Sequence, residues 1–143
     1  MRPIKSVKAE YGKYQPEPEE FVDLVMKIIR EKEIENITSL QSFDPEILKV
    51  INKNSPEIEI AYLVYRQGIE KNLALLDFKP DIYSPNYTLV KNEQFVDSIR
   101  LQKMDLIPWT VNETEDIQKM IDLNVDGIIT DYPEKVLEIR NNG

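Results

Sequence analysis

Residues 105–136 read DLIPWTVNETEDIQKMIDLNVDGIITDYPEKV. Two short apolar runs, DLIPWTV (105–111) and DGIIT (126–130), flank a segment in which Met120 and Ile121 lie three and four residues after Ile117. That alternation predicts strand, helix, strand. Asn112 is expected to cap the helix, and Asp131 to cap a second one over YPEKVLEIR. Trp109 stands at the C-terminal mouth of the first run, just ahead of a helix start, where an aromatic ring can pack inward or wall a ligand site.

The same alternation continues upstream. PIKSV (3–7) reads as a short strand. PEEFVDLVMKIIREK places Phe21, Leu24, Val25, Ile28 and Ile29 on one helical face. NITSLQS (36–42) is a strand leading to a helix with Asp44 as N-cap, Pro45 in its first position, and Ile47, Leu48 and Ile51 inward. EIAYLVY (59–65) is the next strand, followed by a weaker helix over GIEKNLALLD. The run DIYSPN then precedes KNEQFVDSIRLQK, in which Phe95, Val96 and Ile99 share a face.

From the third strand on, strand starts recur about every 22 residues, the rhythm of successive βα units. A parallel sheet with right-handed crossovers follows. The chain has only four glycines, none in a GxGxxG or GxxxxGK[ST] pattern, so the nucleotide-binding open sheets lose support. Six strands in 143 residues fall short of a closed (βα)8 barrel, which takes about 250 residues. The expected fold is α/β, a partial (βα)8 TIM-type barrel of about six parallel βα units.

Composition narrows the function. A net charge of −8 opposes nucleic-acid binding, which needs a basic stripe to displace counterions. No cysteine is present, which excludes disulfides and thiolate chemistry. No apolar run is long enough to span a membrane, and the N-terminal residues lack the apolar core of a secretory signal. There is also no histidine, so His-based triads and His-ligated zinc are excluded. Catalysis by this chain alone would rest on carboxylates, Lys, Tyr or a metal.

In parallel barrels, function gathers at the C-terminal ends of the strands. Those positions carry Lys5, Gln41, Ser42, Asp44, Tyr65, Ser84, Asn86, Trp109, Asn112, Thr130 and Asp131. Lys5 is the single cation among them. Asp44, Asn112 and Asp131 are each placed to cap a helix instead. The acidic groups Glu17/Glu19/Glu20 and Glu113/Glu115/Asp116 sit where carboxylates complement a helix dipole.

QSFD (41–44) after a strand, WTVN (109–112) after a strand and DGIITDYP (126–133) occur in an order that resembles the glycerophosphodiester phosphodiesterase family. The resemblance covers nearly the whole chain but only the C-terminal part of that family's barrel. It implies a phospholipase-C-like phosphodiesterase architecture in which residues 1–143 are the C-terminal portion. The implied activity is metal-dependent hydrolysis of glycerophosphodiesters to glycerol 3-phosphate and an alcohol, with magnesium or calcium as the cation. The family's His-Arg-Gly motif and second His have no counterpart here. RPIKS aligns with the family's Glu-x-Lys strand, where Lys5 matches and Pro3 stands at the position of the metal-ligating Glu.

By this resemblance Lys5, Gln41 and Trp109 are substrate-binding, no residue is assigned as catalytic or metal-ligating, and the chain alone is not expected to bind the cation. The expected partner is a glycerophosphodiester or glycerol phosphate. No nucleic acid and no membrane span are expected, and no compartment is assigned. The open edges of a partial barrel invite pairing, so a homo-oligomer or a complementing N-terminal half is anticipated. The alternative reading is a non-catalytic module that binds glycerol phosphate.

Overall fold

The computed structural model describes residues 11–13 and 15–142; the expected strand at 3–7, with Pro3 and Lys5, lies outside them. In chain order the elements are α1 (Pro18–Glu31), a 3-10 turn (Glu35–Ile37), β1 (Ser39–Ser42), α2 (Pro45–Asn54), β2 (Glu59–Val64) and α3 (Ile69–Leu73). They continue with β3 (Ile82–Pro85), a second 3-10 turn (Tyr87–Leu89), α4 (Glu93–Leu101), β4 (Asp105–Leu106), α5 (Thr114–Asp122) and α6 (Pro133–Asn142). The sheet order follows the chain, β1-β2-β3-β4. The β1–β2 and β3–β4 ladders are parallel, pairing Ser39 with Glu59 and Ile82 with Asp105 at their starts. Two compact units divide the chain: Met1–Leu63 with Gln67–Asp81, and Val64–Arg66 with Ile82–Gly143.

In the first unit, Pro45 opens α2 and the Asp44 carboxylate accepts from the Glu46 backbone N–H, as expected. Ile47, Leu48 and Ile51 are buried. β2 is buried on both faces from Ile60 to Val64, which is why its sequence is continuously apolar rather than alternating. The expected face of α1 needs correction. Its buried stripe is Val22, Met26 and Ile29, whereas Leu24 and Ile28 are 53% and 58% exposed. The helix carries apolar residues around more than half its circumference, so periodicity alone could not say which part the α2 contact would cover.

In the second unit, α4 buries Val96 and Ile99, and α5 buries Ile117 and Met120. The run 105–111 is a strand only over Asp105–Leu106. Pro108 has no N–H to give, and Trp109 rejoins the ladder as a single parallel bridge to Asn86. Residues 126–130 are not a named strand, yet Ile129 donates to the Pro108 carbonyl at 2.9 Å and Val111 donates to that of Ile129 at 2.9 Å.

Two devices repeat along the chain. Asp81 accepts from the Ile60 N–H at 2.8 Å while its own N–H donates to the Ile60 carbonyl. Asp126 does the same to Leu106, also at 2.8 Å. Each carboxylate thus closes the N–H of the second residue of the preceding strand. Asp81→Ala leaves that donor without its partner and is expected to cost about 1–2 kcal/mol in urea unfolding, with Asp81→Asn costing less.

The second device ends the helices. Glu33, Lys103 and Asn124 follow α1, α4 and α5 with φ of 53°, 57° and 55°. In each case the next residue donates back to the helix, Ile34 to Ile29, Met104 to Ile99 and Val125 to Met120, which is the Schellman closure. None of the three is glycine, and only Asn124 is of a residue type that favours this conformation. Glu33→Gly removes a Cβ penalty of about 1–2 kcal/mol and adds unfolded-chain entropy of about 0.5–1 kcal/mol. A small rise in melting temperature is the expected result.

Candidate functional site

The second unit holds the strand-end residues Tyr65, Ser84, Asn86, Trp109, Asn112, Thr130 and Asp131. Asn86 donates its N–H to the Val64 carbonyl at 2.9 Å, and Ile107 and Trp109 donate to Tyr83 and Pro85 at 3.2 and 3.0 Å. Tyr87 closes the row by donating to the Trp109 carbonyl at 2.8 Å. The Trp109 backbone is therefore held on both sides. Its side chain is held as well: the indole Nε1–H donates to the Ser84 carbonyl at 2.8 Å, and Tyr65 stacks on the ring at 5.9 Å between centroids and 25° between planes. Trp109 remains partly accessible, and Tyr65 is 58% exposed.

Arg66 holds its guanidinium 5.4 Å from the Tyr65 ring centroid. The sequence reading had one strand-end cation, Lys5, which lies outside the described residues; Arg66 is a second. It follows the apolar run 59–65 directly, and that position was the available sign. Ser84 is buried, with its hydroxyl donating to the Ile107 carbonyl. Asn86 accepts from Thr88 and caps the short turn after β3.

Asn112 does not cap α5, whose N-cap is Glu113 without a side-chain bond. Its carboxamide instead ties the segment after Trp109 to residues 130–131. Oδ1 accepts from the Asp131 N–H at 3.0 Å and from the Thr130 hydroxyl at 3.1 Å, and Nδ2 donates to the Asp131 carboxylate at 2.8 Å. Lys135, in the first turn of α6, donates to the Asn112 carbonyl at 3.2 Å. The Asp131 carboxylate is thus engaged by Asn112, and it is Thr130 Oγ1 that accepts from the Tyr132 N–H at the start of α6. Asn112→Asp would set two carboxylates against each other. That variant is expected to loosen above the carboxylate range and recover as pH falls through it, read as a pH-dependent change in Trp109 emission.

Tyr87 titrates above its ordinary range, held there first by the Asp116 charge, then by desolvation, by a hydrogen bond to Asp116 and by Glu113. Its neutral form is favoured, so tyrosinate formation should move down in Asp116→Asn. A wild-type minus Tyr87→Phe difference titration reads it.

In the first unit, Gln41 lies on β1 opposite Ala61 and is 6% exposed. Ser42 Oγ accepts from the Asp44 N–H at 3.1 Å, and the Asp44 carboxylate also accepts from the Tyr11 hydroxyl. A cleft of about 570 Å³ is bounded by Phe43, Asp44, Glu46, Lys49 and Leu75 among others; Lys49 and Glu46 pair across 3.1 Å.

The sequence profile described as the glycerophosphoryl diester phosphodiesterase family matches residues 4–135. The chain belongs to that family. A glycerophosphodiester phosphodiesterase of Caldanaerobacter subterraneus subsp. tengcongensis is 32% identical over 123 residues, 83% of this chain and 49% of the relative. A putative glycerophosphoryl diester phosphodiesterase from Silicibacter pomeroyi superposes with a TM-score of 0.78 at 26% identity, over 87% of this chain and 44% of that one. An Oleispira antarctica phosphodiesterase, solved with the product sn-glycerol-3-phosphate, superposes with a TM-score of 0.72 at 20% identity, over 87% and 50%. This chain spans about half the length of the relatives it matches. Within the glycerophosphoryl diester phosphodiesterase family, its fold class is α/β, a partial TIM-type barrel.

The family is generally dependent on a divalent metal, and the described residues of this chain offer no grouping that suits one. There is no histidine, and among the described residues no three His, Cys, Asp or Glu side chains are grouped to hold one. No helix among the described residues is long and apolar enough to cross a membrane.

Proposed function

We propose that this chain is the C-terminal, substrate-side portion of a glycerophosphodiester phosphodiesterase domain. It binds the glycerol phosphate part of a glycerophosphodiester through Trp109, Gln41 and Lys5, and does not complete the hydrolytic centre alone. The observation that carries this is Trp109, held at the strand mouth by its backbone bonds, by Ser84 and by the Tyr65 stack, in a chain of this family. Such a ring is a pre-set wall for a small polyol. Activating water against a phosphodiester needs charge neutralisation, and among the described residues no three carboxylates are grouped to recruit a cation for it. The missing groups would come from a chain carrying the first βα units.

The deciding assay is glycerol 3-phosphate release from glycerophosphocholine and glycerophosphoethanolamine, with magnesium or calcium and an EDTA control. No turnover with saturable sn-glycerol 3-phosphate binding is the expected pair of results. Metal-dependent turnover by this chain alone would overturn the claim that its centre is incomplete. Absence of binding at millimolar ligand would remove the substrate-side assignment.

A further inference from the structure

Resting on that reading, we propose that Asn112 is a positioning residue for the ligand wall: without touching the ligand, it couples the seating of α6 to the setting of Trp109. The coupling begins in the backbone. Ile129 donates to the Pro108 carbonyl and Val111 donates to the Ile129 carbonyl, so the chain is joined to Ile129 on both sides of Trp109. Beyond Val111 the pairing passes to a side chain. Asn112 Oδ1 accepts from the Asp131 N–H and the Thr130 hydroxyl, and Nδ2 donates to the Asp131 carboxylate. A carboxamide offers two acceptor sites and two donors, and three of the four are committed here. Glu113, which follows, starts α5 without a side-chain cap. The Asn112 carboxamide therefore anchors this segment where it turns into α5.

The helix α6 depends on the same residue. None of its side chains is buried, and a groove of about 360 Å³ lies against it, walled by Ile121, Val125, Ile128, Val136 and Leu137 among others. An element with so little apolar burial sits at the low-stability end of a fold, so the polar bonds at its start decide how firmly it is seated. Those bonds converge on Asn112. Thr130 Oγ1 accepts from the Tyr132 N–H while its hydroxyl donates to Asn112. Lys135 donates to the Asn112 carbonyl, with its Nζ 4.4 Å from the Tyr132 ring centroid. Movement of α6 is thus transmitted through Asn112 to the segment that carries Trp109. A gap of about 1 Å at a packed wall forfeits up to about half of its dispersion contact.

The test compares full-chain variants by three readouts. These are calorimetric affinity for sn-glycerol 3-phosphate, acrylamide quenching of the single tryptophan without ligand, and urea unfolding followed by circular dichroism. Asn112→Ala is expected to weaken binding about tenfold and to raise quenching of Trp109 in the folded state. Lys135→Met should do both to a smaller degree. Glu138→Gln removes an exposed charge from the same helix and should change neither. Rescue separates the bonds from general stability. In Asn112→Asp the introduced carboxyl and that of Asp131 resist joint ionisation. With one proton between them, the new carboxyl accepts from the Asp131 N–H and Thr130 and donates to the Asp131 carboxylate, as the amide did. Affinity relative to wild type at the same pH is expected to return as pH falls through the raised range of the pair, while Asn112→Ala shows no such return. The charges beside it, Lys135 on α6 and Glu113 in the chain, are the same in both variants, so the difference between them reports the carboxyl.

Wild-type affinity in folded Asn112→Ala overturns the proposal, since a residue that only stabilises the fold leaves binding by the folded fraction intact. Absence of acid recovery in Asn112→Asp, or a loss in Glu138→Gln equal to that in Asn112→Ala, overturns it too. If Asn112→Ala does not fold, Lys135→Met and Asn112→Asp carry the same comparison. If wild type binds no sn-glycerol 3-phosphate at millimolar ligand, the substrate-side reading falls and the quenching series alone decides the coupling. Raised quenching in Asn112→Ala then upholds it, and unchanged quenching removes it.

Discussion

Trp109→Ala is expected to abolish measurable binding of sn-glycerol 3-phosphate and to destabilise the chain by about 2–4 kcal/mol. The upper end approaches the loss for a fully buried Trp, and the lower reflects that Trp109 is only partly buried. Truncation removes the partner of the Tyr65 ring and the donor to the Ser84 carbonyl. It leaves a gap where the binding wall stood. Trp109→Phe separates the two contributions. It keeps a ring for Tyr65 and for ligand but loses the indole N–H, so stability should fall by only about 1 kcal/mol and most binding should survive. Calorimetry reads the affinity, because the tryptophan is gone, and urea unfolding reads the stability. If Trp109→Ala binds like wild type, the indole is packing and nothing more, and the substrate-side assignment loses its main support.

Leu106→Ala should be the most damaging core change, at about 2–5 kcal/mol. Leu106 is fully buried, pairs with Tyr83 in the β3–β4 ladder and receives Asp126 at its N–H. A domain this size has about 5–15 kcal/mol in all, so the midpoint of unfolding should drop by a large fraction. Leu101→Ala is the contrast. Leu101 ends α4 and is 84% exposed, so its replacement should stay within about 0.5 kcal/mol. Equal effects at the two positions would mean that this strand is not seated as described.

The helices were the legible part of the chain. Asp44 followed by Pro45 predicted both the start and the cap of α2, because capping is a local bond between a side chain and the next turn. Ile117, Met120, Val96 and Ile99 likewise fell inward where their spacing placed them. Asn112 went the other way. Its position ahead of α5 suited a cap, but Thr130 and Asp131 competed for the same carboxamide. Those partners are 18 and 19 residues away, beyond the reach of any local rule. The left-handed residues Glu33 and Lys103 were silent for a different reason: glycine, or less often asparagine as at 124, is the usual sign of that conformation, and neither of these two is either.

Residue order and composition were enough for the alternating βα class, for the family, and for exclusion of thiol and histidine chemistry, since each rests on residue identity or short-range periodicity. They also put Trp109 at a strand mouth. Contacts across 20 or more residues chose the rest. They selected which side of α1 is buried, bound the Trp109 indole to Ser84, and stacked Tyr65 on that indole. A side chain with several possible partners is committed by whichever one the folded backbone brings within bonding distance. That distance exists only once the strands are paired.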